Sequence, residues 1–127
     1  MIVLSKEHII ALHKQLIERY GGIHGVRDEG LLDSALNAPF QSFGNIEFFP
    51  TVIEKAVRLC VGLVQNHPFH DGNKRVGAMV LLSTLKRNNI RLKTNNAELT
   101  SIILDLAAKR IDSDFLLSWV KDRTIFD

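Results

Sequence analysis

Apolar residues recur at intervals of three and four along most of the chain, the period of helices with one buried face. Ile9, Leu12, His13, Leu16, Ile17 and Tyr20 form the first such stripe. Ser5 can cap its start, and Gly21-Gly22 stops it. Asp28 is placed to cap a short second helix through Asn37, which buries Leu32, Ala35 and Leu36 and is stopped by Pro39. Thr51 caps a third helix running to about Asn66. Its stripe is Val52, Ala56, Leu59, Cys60 and Leu63, with His67 as last member at the edge of the core. Residues 76–85 are apolar around nearly their whole circumference, so a helix over 73–86 is predicted at the middle of the fold. Lys86 and Arg87 suit its C-terminal end, and Asn88-Asn89 suit the stop. Asn95 with Glu98 resembles a capping box, and its helix buries Leu99, Ile102, Ile103 and Leu106. Asp112 caps the last helix, Ile111 and Leu116 form its staple, and Phe115, Leu116, Trp119 and Val120 face inward. No stretch alternates as a strand would. The pattern predicts an all-α fold: one domain over residues 1–127, a compact bundle of about six helices around the 73–86 helix.

Two stretches break this rhythm. Residues 39–50 lie between Pro39 and Pro50 and hold four of the seven phenylalanines of the chain. Two uses compete for so apolar a loop: tucking its rings onto the core, or standing out as a flap whose edge takes a target peptide by strand addition. As a flap, its tip would be Phe43, Gly44, Asn45 and Ile46, with Gly44-Asn45 as the turn. The second stretch, His67-Pro68-Phe69-His70-Asp71-Gly72-Asn73-Lys74-Arg75, is a polar loop feeding the start of the most apolar helix. A helix start offers unpaired backbone N–H groups and the positive end of the macrodipole, which suit an anion. Lys74 and Arg75 oppose that dipole at a cost of ~0.3–1 kcal/mol each. Either they reach into water and pair with surface carboxylates, or a bound phosphate offsets the cost. With His67, Asp71, Gly72 and Asn73 alongside, the phosphate reading is preferred.

Composition narrows the field. The 127 residues are 46% hydrophobic and 24% charged, as in an ordinary globular chain. A net charge of +2 gives no electrostatic case for nucleic acid. The basic residues between Lys86 and Lys93 serve a helix end better than a nucleic-acid patch. One cysteine, Cys60, permits no internal disulfide and fits a reducing cytoplasm. There is no signal-peptide pattern and no apolar run of membrane-spanning length. His8 and His13 have no metal-ligand partner at suitable spacing, and Arg27 reads as a surface charge or a partner of Asp28.

The loop His67 to Arg75 resembles that of the Fic/Doc superfamily, whose usual form is His-Pro-Phe-x-Asp/Glu-Gly-Asn-Gly-Arg. Lys74 stands where glycine is usual, and a loop ending Asn-Lys-Arg marks the Doc (death-on-curing) toxin subfamily. Arg19-Tyr20-Gly21-Gly22, Gly25, Arg27-Asp28, Gly30-Leu31-Leu32 and Glu54-Lys55-Ala56 are similar to Doc-family positions, so the likeness covers most of residues 8–90. It implies a Fic-like fold and a toxin acting as a serine/threonine kinase with ATP and Mg²⁺. Most glycine-bearing members transfer AMP; the lysine is thought to close the α-phosphate pocket, so that the nucleotide binds reversed and the γ-phosphoryl moves. Elongation factor Tu is the implied target, translation arrest the outcome, and an antitoxin supplied in trans the implied partner. Protein adenylyltransferase is the alternative.

Residue chemistry agrees with that implication. His67 can accept a hydroxyl proton. Asp71 can hold Mg²⁺. Gly72 lets the backbone approach phosphate, and Asn73 offers a neutral donor. Lys74 and Arg75 can neutralise charge on the transferring group. Phe69 reads as an anchor and His70 as exposed. Two other classes are a metal hydrolase built on His67, His70 and Asp71, and a binding module without activity. An in-chain inhibitory helix is not expected: Thr94 and Glu98 have the spacing of the Fic inhibitory motif, but Leu99 follows where glycine or asparagine is usual.

Overall fold

Six helices carry the chain in the computed structural model, which describes residues 1–127: α1 (Lys6–Tyr20), α2 (Glu29–Asn37), α3 (Val52–Gln65), α4 (Asn73–Arg87), α5 (Asn96–Ala107) and α6 (Ser113–Lys121). The expected all-α fold is present. Five of the six begin on a side-chain cap. Ser5 accepts from the His8 N–H, Asp28 from Leu31, Thr51 from Glu54, Asn95 from Glu98, and Asp112 from Phe115. Each such cap typically contributes ~0.5–2 kcal/mol. α4 is the exception: it starts from Gly72, in the left-handed region at φ 78°, with no side chain closing its first turn.

α3 and α4 share the centre, and α3 is the more buried. Ten of the fourteen α3 residues are inaccessible, against seven of fifteen in α4, whose Met79 reaches solvent. The two helices form a wall between two apolar clusters. On one side Leu81 and Leu85 of α4 meet Val57, Cys60 and Val61 of α3, with Leu106 of α5 and Leu116 and Val120 of α6. On the other, Val76 and Val80 meet Leu59 and Leu63, with Ile9 of α1, Leu32 of α2, and Phe69. The wall is thin at Gly77, where an added Cβ would lie 2.6 Å from Cγ2 of Val64. The polar loop 67–72 is the connection between α3 and α4, so both clusters hold its ends.

Two short ribbons are absent from the sequence reading. β1 (Ser42–Phe43) and β2 (Ile46–Glu47) pair antiparallel about Gly44-Asn45, and β3 (Ile90–Leu92) pairs antiparallel with β4 (Thr124–Phe126). Strands of two or three residues are too short to display alternation.

The β1–β2 hairpin settles how the phenylalanine-rich segment is disposed. Phe43 is 79% exposed and Ile46 70%, so the tip stands in solvent and does not tuck onto the core. Its base is tethered by Lys55, a buried cation whose Nζ reaches Oε1 of Glu47 at 3.0 Å and also donates to the Phe49 carbonyl. Two further inward assignments fail: Tyr20 and Phe115 are each more than half exposed.

Candidate functional site

The loop after α3 is held by contacts its own sequence provides. Phe69 is fully buried. The Asn73 amide closes on it from both ends: Nδ2 donates to the Phe69 carbonyl and Oδ1 accepts the Phe69 N–H, each at 3.0 Å. The Asn73 side chain gives its Oδ1 and one of its two Nδ2 protons to the loop, so its first role is to hold Phe69 in place.

α1 braces the loop from behind. The His13 ring stacks on Phe69, centroids 3.8 Å apart and planes 9° from parallel. Its Nε2 lies 2.7 Å from the Asp71 carbonyl oxygen. A carbonyl can only accept, so Nε2 carries the proton. Burial depresses the proton affinity of this ring, outweighing the Asp71 bond, and His24 nearby lowers it further. His13 is thus neutral and structural. Gly72 follows at φ 78°, and an added Cβ there would come 3.1 Å from Ile17 Cδ1 and 3.5 Å from His13 Nε2. Both the turn and the close fit against α1 require glycine.

The reactive side chains lie on the opposite face. Asp71 accepts the Ile23 N–H on Oδ2 at 2.8 Å, which fixes the carboxylate and leaves its other oxygen without a protein partner. Lys74 and Arg75 are exposed and take part in none of the ion pairs of the molecule, which join Lys6 to Glu29 and Asp33, Lys55 to Glu47, and Arg110 to Asp105. The Arg75 guanidinium sits 4.5 Å from the Tyr20 ring centroid, within cation–π range. Two cations without a carboxylate partner therefore stand at an uncapped helix start, where the macrodipole disfavours them.

His67 follows the α3 C-cap residue Asn66 and adopts φ 53°, left-handed, where a non-glycine side chain is uncommon. It is therefore not the last residue of the helical stripe; it turns off the helix end. Its carbonyl is gripped by Arg27, whose Nε donates to it at 2.8 Å while Nη2 donates to the Asn66 carbonyl at 3.2 Å.

These residues share one cleft of about 680 Å³. His67, Asp71, Gly72, Asn73, Lys74 and Arg75 line one wall. Thr100, Ile103, Leu104, Ala107 and Lys109 from α5 and its end line the other. The volume is in the range of small-molecule sites. The flap residues Phe43, Gly44, Asn45 and Ile46 are not among its lining. Glu98 is turned elsewhere: it lines a separate hollow with Trp119 and accepts from the Thr94 hydroxyl at 3.2 Å. The metal-hydrolase reading loses its ligand set, since nowhere do three His, Cys, Asp or Glu side chains converge on one point. No helix is long and apolar enough to cross a membrane.

Sequence reasoning found the near wall and missed the far one. Residues such as Leu104 and Ala107 belong to an ordinary amphipathic helix, and nothing in their spacing marks them. Arg27, expected as a surface charge or a partner of Asp28, instead donates to the carbonyls of His67 and Asn66, and Tyr20, expected in the core, lies against the Arg75 guanidinium. A charged residue in a glycine-rich loop facing a helix C-terminus was the available signal for Arg27.

Comparison with known proteins agrees with the loop motif. The profile of the Fic/DOC family matches residues 3–85. The chain is 30% identical over 108 residues to "Protein kinase doc" of Escherichia phage P1, covering 85% of this chain and 84% of that protein. It is 36% identical over 73 residues to "Toxin Doc" of Mycolicibacterium smegmatis, covering 58% of this chain and 56% of that one.

Proposed function

The chain belongs to the Fic/DOC family, in its Doc branch, and from that premise we propose a toxin that phosphorylates a serine or threonine hydroxyl of a protein target with ATP. The observation that carries the proposal is Lys74 beside Arg75 at the uncapped start of α4, in the position where glycine is usual and with no carboxylate neutralising either cation. The names of the two relatives, a protein kinase and a toxin, support the same reading.

The residues divide the work. His67 accepts the hydroxyl proton as the target oxygen bonds to the γ-phosphorus; the bond from that phosphorus to the β–γ bridging oxygen breaks, and ADP leaves with the electron pair. The first-turn N–H groups of α4, with Gly72 allowing close approach, meet phosphate oxygens. Lys74 and Arg75 neutralise the negative charge of the phosphates, the main demand of phosphoryl transfer. Asp71 fits a Mg²⁺ site because its free oxygen adjoins the cleft, and one carboxylate with phosphate oxygens and water suffices for that ion. Bound there, Mg²⁺ would supply further neutralisation of the phosphate charge. Asn73 and Phe69 hold the frame. Ile103, Leu104 and Ala107 offer an apolar wall for the nucleoside.

The target edge would pair with the exposed β1–β2 hairpin, where Phe43 and Ile46 flank the turn. Elongation factor Tu is the expected target and arrested translation the outcome. The antitoxin comes in trans; in support, Glu98 does not line the cleft, and it is bonded to Thr94 rather than to Arg75. A cytoplasmic location follows from that target.

Expression tests the proposal. The chain should arrest growth when produced alone, His67→Ala should not, and co-production of the neighbouring small reading frame should restore growth. Arrest that persists in His67→Ala would refute it. Adenylylated target protein in arrested cells would establish AMP transfer instead.

A further inference from the structure

Loop 25–28 runs alongside the chain that carries His67. The Arg27 N–H donates to the Pro68 carbonyl at 2.7 Å, and the Asp28 N–H to the same oxygen at 3.1 Å. Val26 bridges to Phe69, and the His70 N–H donates to the Gly25 carbonyl at 3.2 Å. To this backbone zipper the Arg27 side chain adds a fork on the carbonyls of Asn66 and His67. Asn66 is held on its other side, its Nδ2 donating to the Leu31 carbonyl at 3.2 Å.

The position of the fork matters. The last carbonyls of a helix have no partners within it, and they form the negative end of its dipole. At the end of α3 the next residue is not glycine but His67 at φ 53°, a conformation that costs free energy for a side chain with a Cβ. It persists only where its surroundings hold it there. Pro68 adds to the constraint, because the residue before proline favours extended backbone. The planar guanidinium presents its N–H donors in a fixed fork that spans two successive carbonyls, a geometry a flexible lysine ammonium does not pre-organise.

We infer that Arg27 is a positioning residue. Its fork holds the backbone of His67 in the left-handed conformation, and this directs the imidazole into the cleft. The inference rests on the phosphoryl-transfer reading for its kinetic consequence but not for its structural one. Arg27 itself does not line the cleft, so it acts on chemistry only through His67. Releasing the fork lets residue 67 fall back to the extended region that Pro68 favours, and the imidazole swings away. A displacement of about 1 Å at a reacting group can lower the rate by about 10²-fold.

The test uses the full chain with Arg27→Lys and Arg27→Ala. One arm is NMR of histidine-labelled protein. The His67 ring and backbone resonances should shift and broaden in both variants, while those of His13, braced from α1, stay in place. The other arm is transfer to elongation factor Tu at a temperature where both variants are folded. The turnover number should fall about ten- to a hundred-fold with KM for ATP unchanged, and less in Arg27→Lys than in Arg27→Ala. Unmoved His67 resonances overturn the inference, and so does a full turnover number in a variant whose His67 has moved. A fall in turnover equal to the loss of folded protein, with His67 unmoved, assigns Arg27 to stability alone. If the parent transfers nothing, the kinase reading fails, and the NMR arm still decides whether Arg27 places His67.

Discussion

The ring of His13 lies flat on the ring of Phe69, centroids 3.8 Å apart, while its Nε2 donates to the Asp71 carbonyl. One α1 side chain thereby supports both the anchor of the active loop and the residue before its glycine. Burial of this ring favours its neutral form, against the Asp71 bond, which favours the charged one. In the unfolded chain the same ring takes a proton near its ordinary value of 6.5; in the folded chain burial lowers that value. The contribution of His13 to stability is therefore complete above the unfolded value and lost as the pH falls below it through the folded one. Urea denaturation of the metal-free protein between about pH 7 and pH 5 should show stability declining toward acid. In His13→Gln, which keeps a donor but cannot titrate, the decline should be smaller. An identical slope in the two proteins would contradict this.

Arg75 and Tyr20 form the second such pair, guanidinium 4.5 Å from the ring centroid. The ring keeps the cation at the helix start instead of letting it extend into water. Exposed pairs of this kind contribute about 0.5–1 kcal/mol, equivalent to about a two- to five-fold change in affinity. Calorimetry should show Tyr20→Leu binding ATP more weakly by that factor and Tyr20→Phe binding as the parent does. Equal weakening in both would place the effect on the hydroxyl, not on the ring face.

Asn73 is predicted to act on stability. Asn73→Ala removes both partners of the Phe69 backbone, and a buried polar group left unpaired costs about 1–3 kcal/mol. Thermal melts should show a large loss, and Asn73→Asp, which keeps only the acceptor, should recover part of it. A variant as stable as the parent would mean that the loop stands without this brace.

The seam between α3 and α4 makes a fourth prediction. Gly77→Ala puts a methyl against Val64 at 2.6 Å and should cost about 1–3 kcal/mol through overpacking. Cys60 lies at the same seam, fully buried, with its thiol pushed up to about 12. It should resist thiol reagents in the native protein and react once Gly77→Ala or urea opens the packing. Rapid labelling of the native parent would contradict the packing described.

The helices were legible because each carries its own instructions: Ser5, Asp28, Thr51, Asn95 and Asp112 cap where their spacing before an apolar stripe says they should. The candidate site drew notice for the opposite reason, since Lys74 and Arg75 stand where a helix would not want them. What stayed hidden depends on long-range pairing. Ile90–Leu92 and Thr124–Phe126 are three residues each and become strands only on meeting. Tyr20 fits an apolar stripe by spacing, yet its ring is left half exposed against the guanidinium groups of Arg19 and Arg75. The bracing role of Asn73 was hidden because a sequence does not show that Phe69 turns back to meet it.

The most direct measurement is the mass of elongation factor Tu after incubation with the purified protein, Mg²⁺ and ATP, in parallel reactions labelled at the α- or the γ-phosphate. The account predicts a phosphate increment carrying only the γ-label, lost in His67→Ala and diminished in Lys74→Gly. An adenylyl increment carrying the α-label, or a phosphate increment that survives His67→Ala, would contradict it.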